Sequence, residues 1–173
     1  GVTRSPLRGR FGPYRGGRPF PHSRIDPCHD APVAPILATM SGSGTQDDPW
    51  CLKTAPGTSE YTMYRDEESD PPALVCQVGS TTLRYHLSAI DDLHAMLVAN
   101  RDWVELGAAD EKKDPKPDTV EAWGRSPGNP VGGWYGLRKG YRGRFGMYLP
   151  PLLEELGLVG REHDPRNSRV RAF

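Results

Sequence analysis

Two six-residue runs on either side of Gly79-Ser80 constrain the fold of this chain more than any other feature of its sequence. Ala73-Leu74-Val75-Cys76-Gln77-Val78 and Thr81-Thr82-Leu83-Arg84-Tyr85-His86 have strand composition, and Gly-Ser is a two-residue connection of the kind II′ hairpins use. A loop of that length pairs Val78 with Thr81, Cys76 with Leu83 and Leu74 with Tyr85. Side chains alternate along a strand, so these six share one face, and they are mostly apolar. Val75, Gln77, Thr82, Arg84 and His86 take the other face, which is mostly polar. Turn chemistry and hydrophobic pattern therefore select the same register.

The flanking segments extend this hairpin into an α+β domain. Glu60 to Arg65 reads as a further strand, and Asp66 to Pro72 as an acidic loop closed by two prolines. Ser88 is a candidate N-cap, with Asp91 three residues on as an acidic capping-box variant. The helix it opens runs over 88–99, where Ala89, Ile90, Leu93, Met96 and Leu97 form one apolar arc and Asn100 can terminate it. Trp103 to Gly107 reads as a short strand, Ala108 to Asp118 as a charged loop, and Thr119 to Trp123 as a helical turn or a strand. Pro150-Pro151 can open a short helix, with Leu152, Leu153 and Leu156 buried and Gly157 as its left-handed cap. Leu158 to His163 and Arg169 to Phe173 flank a turn and read as a hairpin. The expected fold is thus a small antiparallel sheet with one amphipathic helix, then a short helix plus β-hairpin. That last unit has the outline of a winged helix, and equally of many ordinary α+β ends.

Composition sets the boundary. Residues 1–39 hold seven prolines, five glycines and six arginines but no lysine. Such a stretch cannot bury enough apolar area to offset its ordering entropy. Ser41-Gly42-Ser43-Gly44 then reads as a flexible lead-in. A disordered Arg/Pro/Gly-rich leader is expected over 1–44, with the natural start at Met40, and a single domain over 45–173. The rival reading makes the leader a basic arm for RNA or acidic surfaces. Net charge is asymmetric: −9 over residues 40–124, from seven basic and sixteen acidic side chains, and +5 over residues 125–173, from nine and four. An acidic middle argues against uniform coating by nucleic acid, while the basic end keeps local binding open. Cys28, Cys51 and Cys76 fit no metal spacing and argue against a disulfide scaffold, which suits a reducing, cytoplasmic setting. No run of about 18 apolar residues exists to span a membrane.

The stretch 132–146 stands out chemically, with four aromatics, four cations and six glycines in fifteen residues. Aromatics stack on bases, Arg and Lys meet phosphates, and glycines let backbone approach a ligand. Trp134, Tyr135, Arg138, Lys139, Tyr141, Arg142 and Arg144 are the candidate binding residues here. Arg166 and Arg169 of the C-terminal hairpin join them, as a wing would use them on phosphates. The plainer alternative is that the aromatics pack under the loop and the cations are solvated. No phosphate loop, zinc pattern or strand-linked G-x-G-x-x-G is present. Cys76 and His86 fall on opposite hairpin faces, which argues against a nucleophile–base pair. No catalytic residue, metal or cofactor is expected.

Val131 to Phe145, Leu149 to Leu158, Pro165-Arg166-Asn167 and Gly79 to His86 together resemble an uncharacterised family of small bacterial domains. The resemblance covers most of 45–173. It implies a free-standing domain and carries over no catalytic or binding residue. The leading expectation is a small non-enzymatic binding protein whose basic, aromatic C-terminal part contacts nucleic acid or a protein partner, with no membrane partner. The alternative is an enzyme or small-ligand domain using the loop 132–146. Oligomeric state is not legible.

Overall fold

The computed structural model of the chain describes residues 42–54, 57–164 and 166–173. The disorder expected of residues 1–41 lies outside them. Strands β1 (Trp50–Lys53), β2 (Glu60–Asp66), β3 (Ala73–Val78) and β4 (Thr81–His86) form an antiparallel meander in sequence order. β3 and β4 pair Leu74 with Tyr85, Cys76 with Leu83 and Val78 with Thr81, the register expected from the turn. Of the two turn residues only Gly79 has a positive φ, 58°, as a II′ turn requires. The fold starts slightly earlier than the composition suggests. Ser43 and Gly44 donate their N–H groups to the Asp48 carbonyl, and the Gly44 carbonyl accepts from Arg65 N–H. The end of the expected lead-in is therefore stitched to β2.

One face of the sheet is mostly apolar, with Arg65 and Thr81 at its margins. Trp50, Met63, Cys76 and Leu83 make one cross-strand row, and Leu52, Tyr61, Leu74 and Tyr85 fill most of the rest; all are buried. The core continues into the helices α1 (Ala89–Asn100) and α3 (Phe145–Glu155), where Leu93, Leu97, Leu149 and Leu152 have no exposed surface. Tyr61 fixes α3 to the sheet: its hydroxyl donates to the Tyr148 carbonyl at 2.8 Å, and its ring meets that of Tyr148 edge-on at 4.9 Å.

Three local expectations are corrected. Ser88 stands at the N-cap of α1 but with helical dihedrals (φ −61°, ψ −12°), and its side chain makes no cap bond, so the box with Asp91 does not form. The helix runs through Asn100, and the left-handed cap that terminates it is Arg101, not Asn100. α3 starts at Phe145, not at Pro150, and both prolines lie inside it. Its N-terminus is capped through space: the Glu121 carboxylate accepts from Arg144 N–H at 2.8 Å and Gly146 N–H at 2.7 Å. No local signal marks such a start.

The ambiguous 119–123 segment is the helical turn α2 (Val120–Trp123), with Thr119 Oγ1 accepting from Ala122 N–H at 3.2 Å. The expected strand at 103–107 shrinks to β5 (Val104–Glu105), which joins β6 (Val159–Arg161) and β7 (Arg169–Ala172) in a second sheet of order β5-β7-β6. A hairpin does follow a helix, as expected. Eight residues of α3 are buried, from Phe145 to Leu153, so it offers no free face to a DNA groove.

Cys76 is buried and free, and burial pushes its thiol far above the ordinary range. His86 is half-buried on the opposite face. Cys51 is disulfide-bonded and Cys76 is free; one bond is not the disulfide scaffold that the cysteine count argued against. Among the described residues no helix is long and apolar enough to cross a membrane.

Candidate functional site

Residues 132–146 are locked to the charged loop 108–113 and do not stand free of the domain. Two guanidinium groups, those of Arg125 and Arg142, each lie 4.6 Å from the centroid of the Trp134 ring. Arg125 donates to the carbonyls of Ala109 (2.8 Å), Asp110 (3.1 Å) and Lys113 (2.8 Å), and to the buried Glu121 carboxylate at 2.5 Å. Arg142 holds Glu111 with its Nε (2.8 Å), its Nη2 (2.5 Å) and its own backbone N–H (3.0 Å). Those bonds, the backbone one foremost, hold the Glu111 carboxyl below its usual range. Burial pushes the Glu121 carboxyl up, against the pull of its three donors.

The glycines serve this interlock. A Cβ on Gly143 would sit 2.3 Å from the Glu111 nitrogen, and one on Gly146 would sit 2.3 Å from the Leu106 carbonyl oxygen. Both positions bring backbone against backbone, not against a ligand. The aromatics divide in the same spirit. Tyr135 is fully buried in a triangle of rings with Trp123 (5.2 Å) and Phe145 (5.1 Å), themselves 6.0 Å apart, and its hydroxyl donates to Asp92 at 2.9 Å. Tyr141 is the large aromatic of the loop that stays open, 43% exposed.

The candidate cations are placed as follows. Arg142 is spent on Glu111, Arg144 pairs with Asp110 at 2.5 Å, and Arg169 pairs with Glu162 while lying 5.6 Å over Trp103. Arg138 donates to the Thr82 carbonyl at 2.6 Å and covers Tyr141 at 4.1 Å. Lys139 and Arg166 are exposed. Arg166 and Arg169 belong to the second hairpin. Arg138, Lys139, Tyr141 and Arg144 gather around the loop, whereas Trp134 and Tyr135 are taken up by packing.

Where the loops meet the tip of the β3–β4 hairpin they leave a cleft of about 500 Å³. Val78, Leu83, Tyr141 and Tyr148 give it apolar walls, and Asp110, Lys112, Lys113 and Arg144 line its polar side. Reading the sequence missed this cleft because Lys112 and Lys113 lie in a loop some thirty residues from Tyr141, a juxtaposition only the fold creates. Neither histidine nor cysteine lines it. Among the described residues no group of three or more metal-ligating side chains is placed to hold an ion.

Residues 42–173 match a protein family described as a family of unknown function, DUF6855. The chain belongs to this family. The match spans both interlocked loops and every wall of the cleft, so the geometry just described is that of the DUF6855 domain. No curated protein and no solved structure matches the chain.

Proposed function

We propose that this protein is a small non-enzymatic binding domain and that its site is the cleft between the β3–β4 tip, residues 110–113 and residues 140–144. The observation that carries this reading is the lining itself. A concavity of about 500 Å³ with apolar walls and a few convergent polar groups is the common form of a small-molecule site. Val78, Leu83, Tyr141 and Tyr148 would take an apolar, ring-sized body. The lining supports binding over catalysis, because both of its carboxylates, Asp110 and Glu111, are held ionised by arginines and neither is poised as a general acid. A bacterial cytoplasmic setting belongs to this reading.

The test is a fluorescence titration with phenylnaphthylamine, a neutral two-ring probe that brightens on leaving water. Saturable binding at one site is expected, weakened by Tyr141→Ala and by Val78→Glu in proteins whose melting is otherwise native. A titration that does not saturate, or that ignores both substitutions, defeats the reading.

One observation favours a second reading, binding of unpaired nucleic acid. Tyr141 is 43% exposed with Arg138 over one face of its ring, and Lys139 two residues away is exposed, which suits a base on the other face and phosphates on the cations. Affinity for a single-stranded oligonucleotide should then fall steeply with salt, and Tyr141→Ala should cost about 1–3 kcal/mol. No binding at low salt rules it out.

A further inference from the structure

Three arginine–carboxylate pairs join residues 108–121 to residues 125–144, and they are not equivalent. Arg125–Glu121 is nearly inaccessible, with side-chain exposures of 9% and 0%. Arg142–Glu111 is tied by three hydrogen bonds and turns its guanidinium under Trp134. Arg144–Asp110 differs on every count. Both side chains line the cleft, both are half-exposed (50% and 48%), and a single Nε–Oδ1 contact of 2.5 Å joins them. An open, one-point ion pair contributes little to stability, so as a brace it is weak beside its two neighbours. Tyr148 is the other side-chain hydrogen-bond partner of Arg144; a guanidinium has five donors, so these two leave part of the fork for another acid group.

The charge balance of the cleft points the same way. With Glu111 set against Arg142 and Asp110 against Arg144, the exposed Lys112 and Lys113 leave the polar side of the cleft positive. An apolar pocket with a positive mouth fits a ligand that has a ring-sized body and one acid group. Asp110 already offers Arg144 a carboxylate of that kind.

We propose that the cleft selects a small amphipathic acid, that Arg144 takes its acid group, and that Asp110 is the internal counter-ion this group displaces. Asp110 thereby sets a threshold. A neutral ligand gains nothing from Arg144, and an acid binds only if it outcompetes a carboxylate already in place. This rests on the cleft being the binding site, as proposed above.

The test compares two probes of one shape on the full chain: anilinonaphthalene sulfonate, an acid, and the neutral phenylnaphthylamine. Asp110→Asn should tighten the sulfonate by about tenfold and Arg144→Asn should weaken it by about tenfold, the scale of one charge-assisted hydrogen bond. Asparagine suits position 144 because it tolerates the left-handed φ of 61° found there. Lys112→Gln with Lys113→Gln, on exposed side chains of the cleft, should weaken the sulfonate as well. The neutral probe should move less than twofold in every variant. Sulfonate binding that ignores the charge at 110 and 144, with both probes bound, leaves the cleft standing and overturns this inference. If neither probe binds, the cleft reading fails and takes this inference with it.

Discussion

Glu121 is the residue on which the local architecture turns. Its carboxylate is fully buried and receives Arg144 N–H, Gly146 N–H and the Arg125 guanidinium. It thereby caps α3, anchors the arginine under Trp134 and joins two loops far apart in sequence. Glu121→Ala would leave a buried guanidinium unpaired and two helix N–H groups without acceptors. We expect a loss of about 3–5 kcal/mol in urea unfolding, the scale for breaking one half of a buried pair. A loss under 1 kcal/mol, the scale of a surface pair, would mean that the carboxylate is replaceable by water. Nothing near Glu121 in sequence announces this role except the i, i+4 spacing to Arg125. Cys76 is the opposite case, a residue whose environment follows from register alone. Cys76→Asp should destabilise by several kcal/mol, since it places an unpaired carboxyl in an apolar row. Native Cys76 should react with a thiol reagent only as fast as the protein opens.

At the scale of elements, the β3–β4 hairpin and the interlocked loops rest on different kinds of information. The hairpin depends on Gly79 at φ 58°, where a β-branched side chain is strained. Gly79→Val should cost about 1–3 kcal/mol by thermal melting, with an unchanged response from a serine substitution at exposed Thr58 as the comparison. The loops depend on contact. Gly143→Ala puts a methyl group 2.3 Å from the Glu111 nitrogen, so residues 109–111 must move. It should cost about 1–3 kcal/mol, as overpacking does, and should also change binding in the cleft, whose lining includes both segments. Full stability with full probe binding would show that the loops slide freely. Strand positions were readable here because alternation and turn type are local properties. The start of α3 was not, because its cap comes from another helix.

For the whole molecule, charge distribution links stability to acid. Arginine contacts hold the carboxyls of Asp66, Asp110, Glu111 and Glu162 below their usual range. Each is lower in the folded than in the unfolded chain, so its contribution is present above the unfolded value and is lost as pH falls through the folded one. Glu121 runs the other way: its carboxyl is raised by burial, so its contribution is held at low pH and lost as pH rises through the folded value. A direct check isolates one group. Glu111→Gln should be less stable than wild type at neutral pH. The gap should begin to narrow near about pH 4 and close below it, as the wild-type carboxyl protonates. A gap that is constant across that range would place the stabilisation in packing and not in charge.

What the sequence determined by itself was whatever depends on neighbours along the chain. That includes the α+β class, the hairpin register from Leu74 to Tyr85, the helix near 89–100, the C-terminal hairpin and, through Gly79 to Phe145 and beyond, the resemblance to a family of unknown function. Tertiary structure decided what the basic, aromatic stretch 132–146 is for. Read alone, its cations and rings looked available. Folded, Tyr135 and Phe145 are core, Trp134 lies against two arginines, and Arg142 and Arg144 meet carboxylates from residues 110–111. The physical reason is that an ion pair or a ring stack across thirty residues leaves no periodicity and no motif. It exists only once the core has brought the two loops together, and the cleft it leaves at the hairpin tip exists for the same reason.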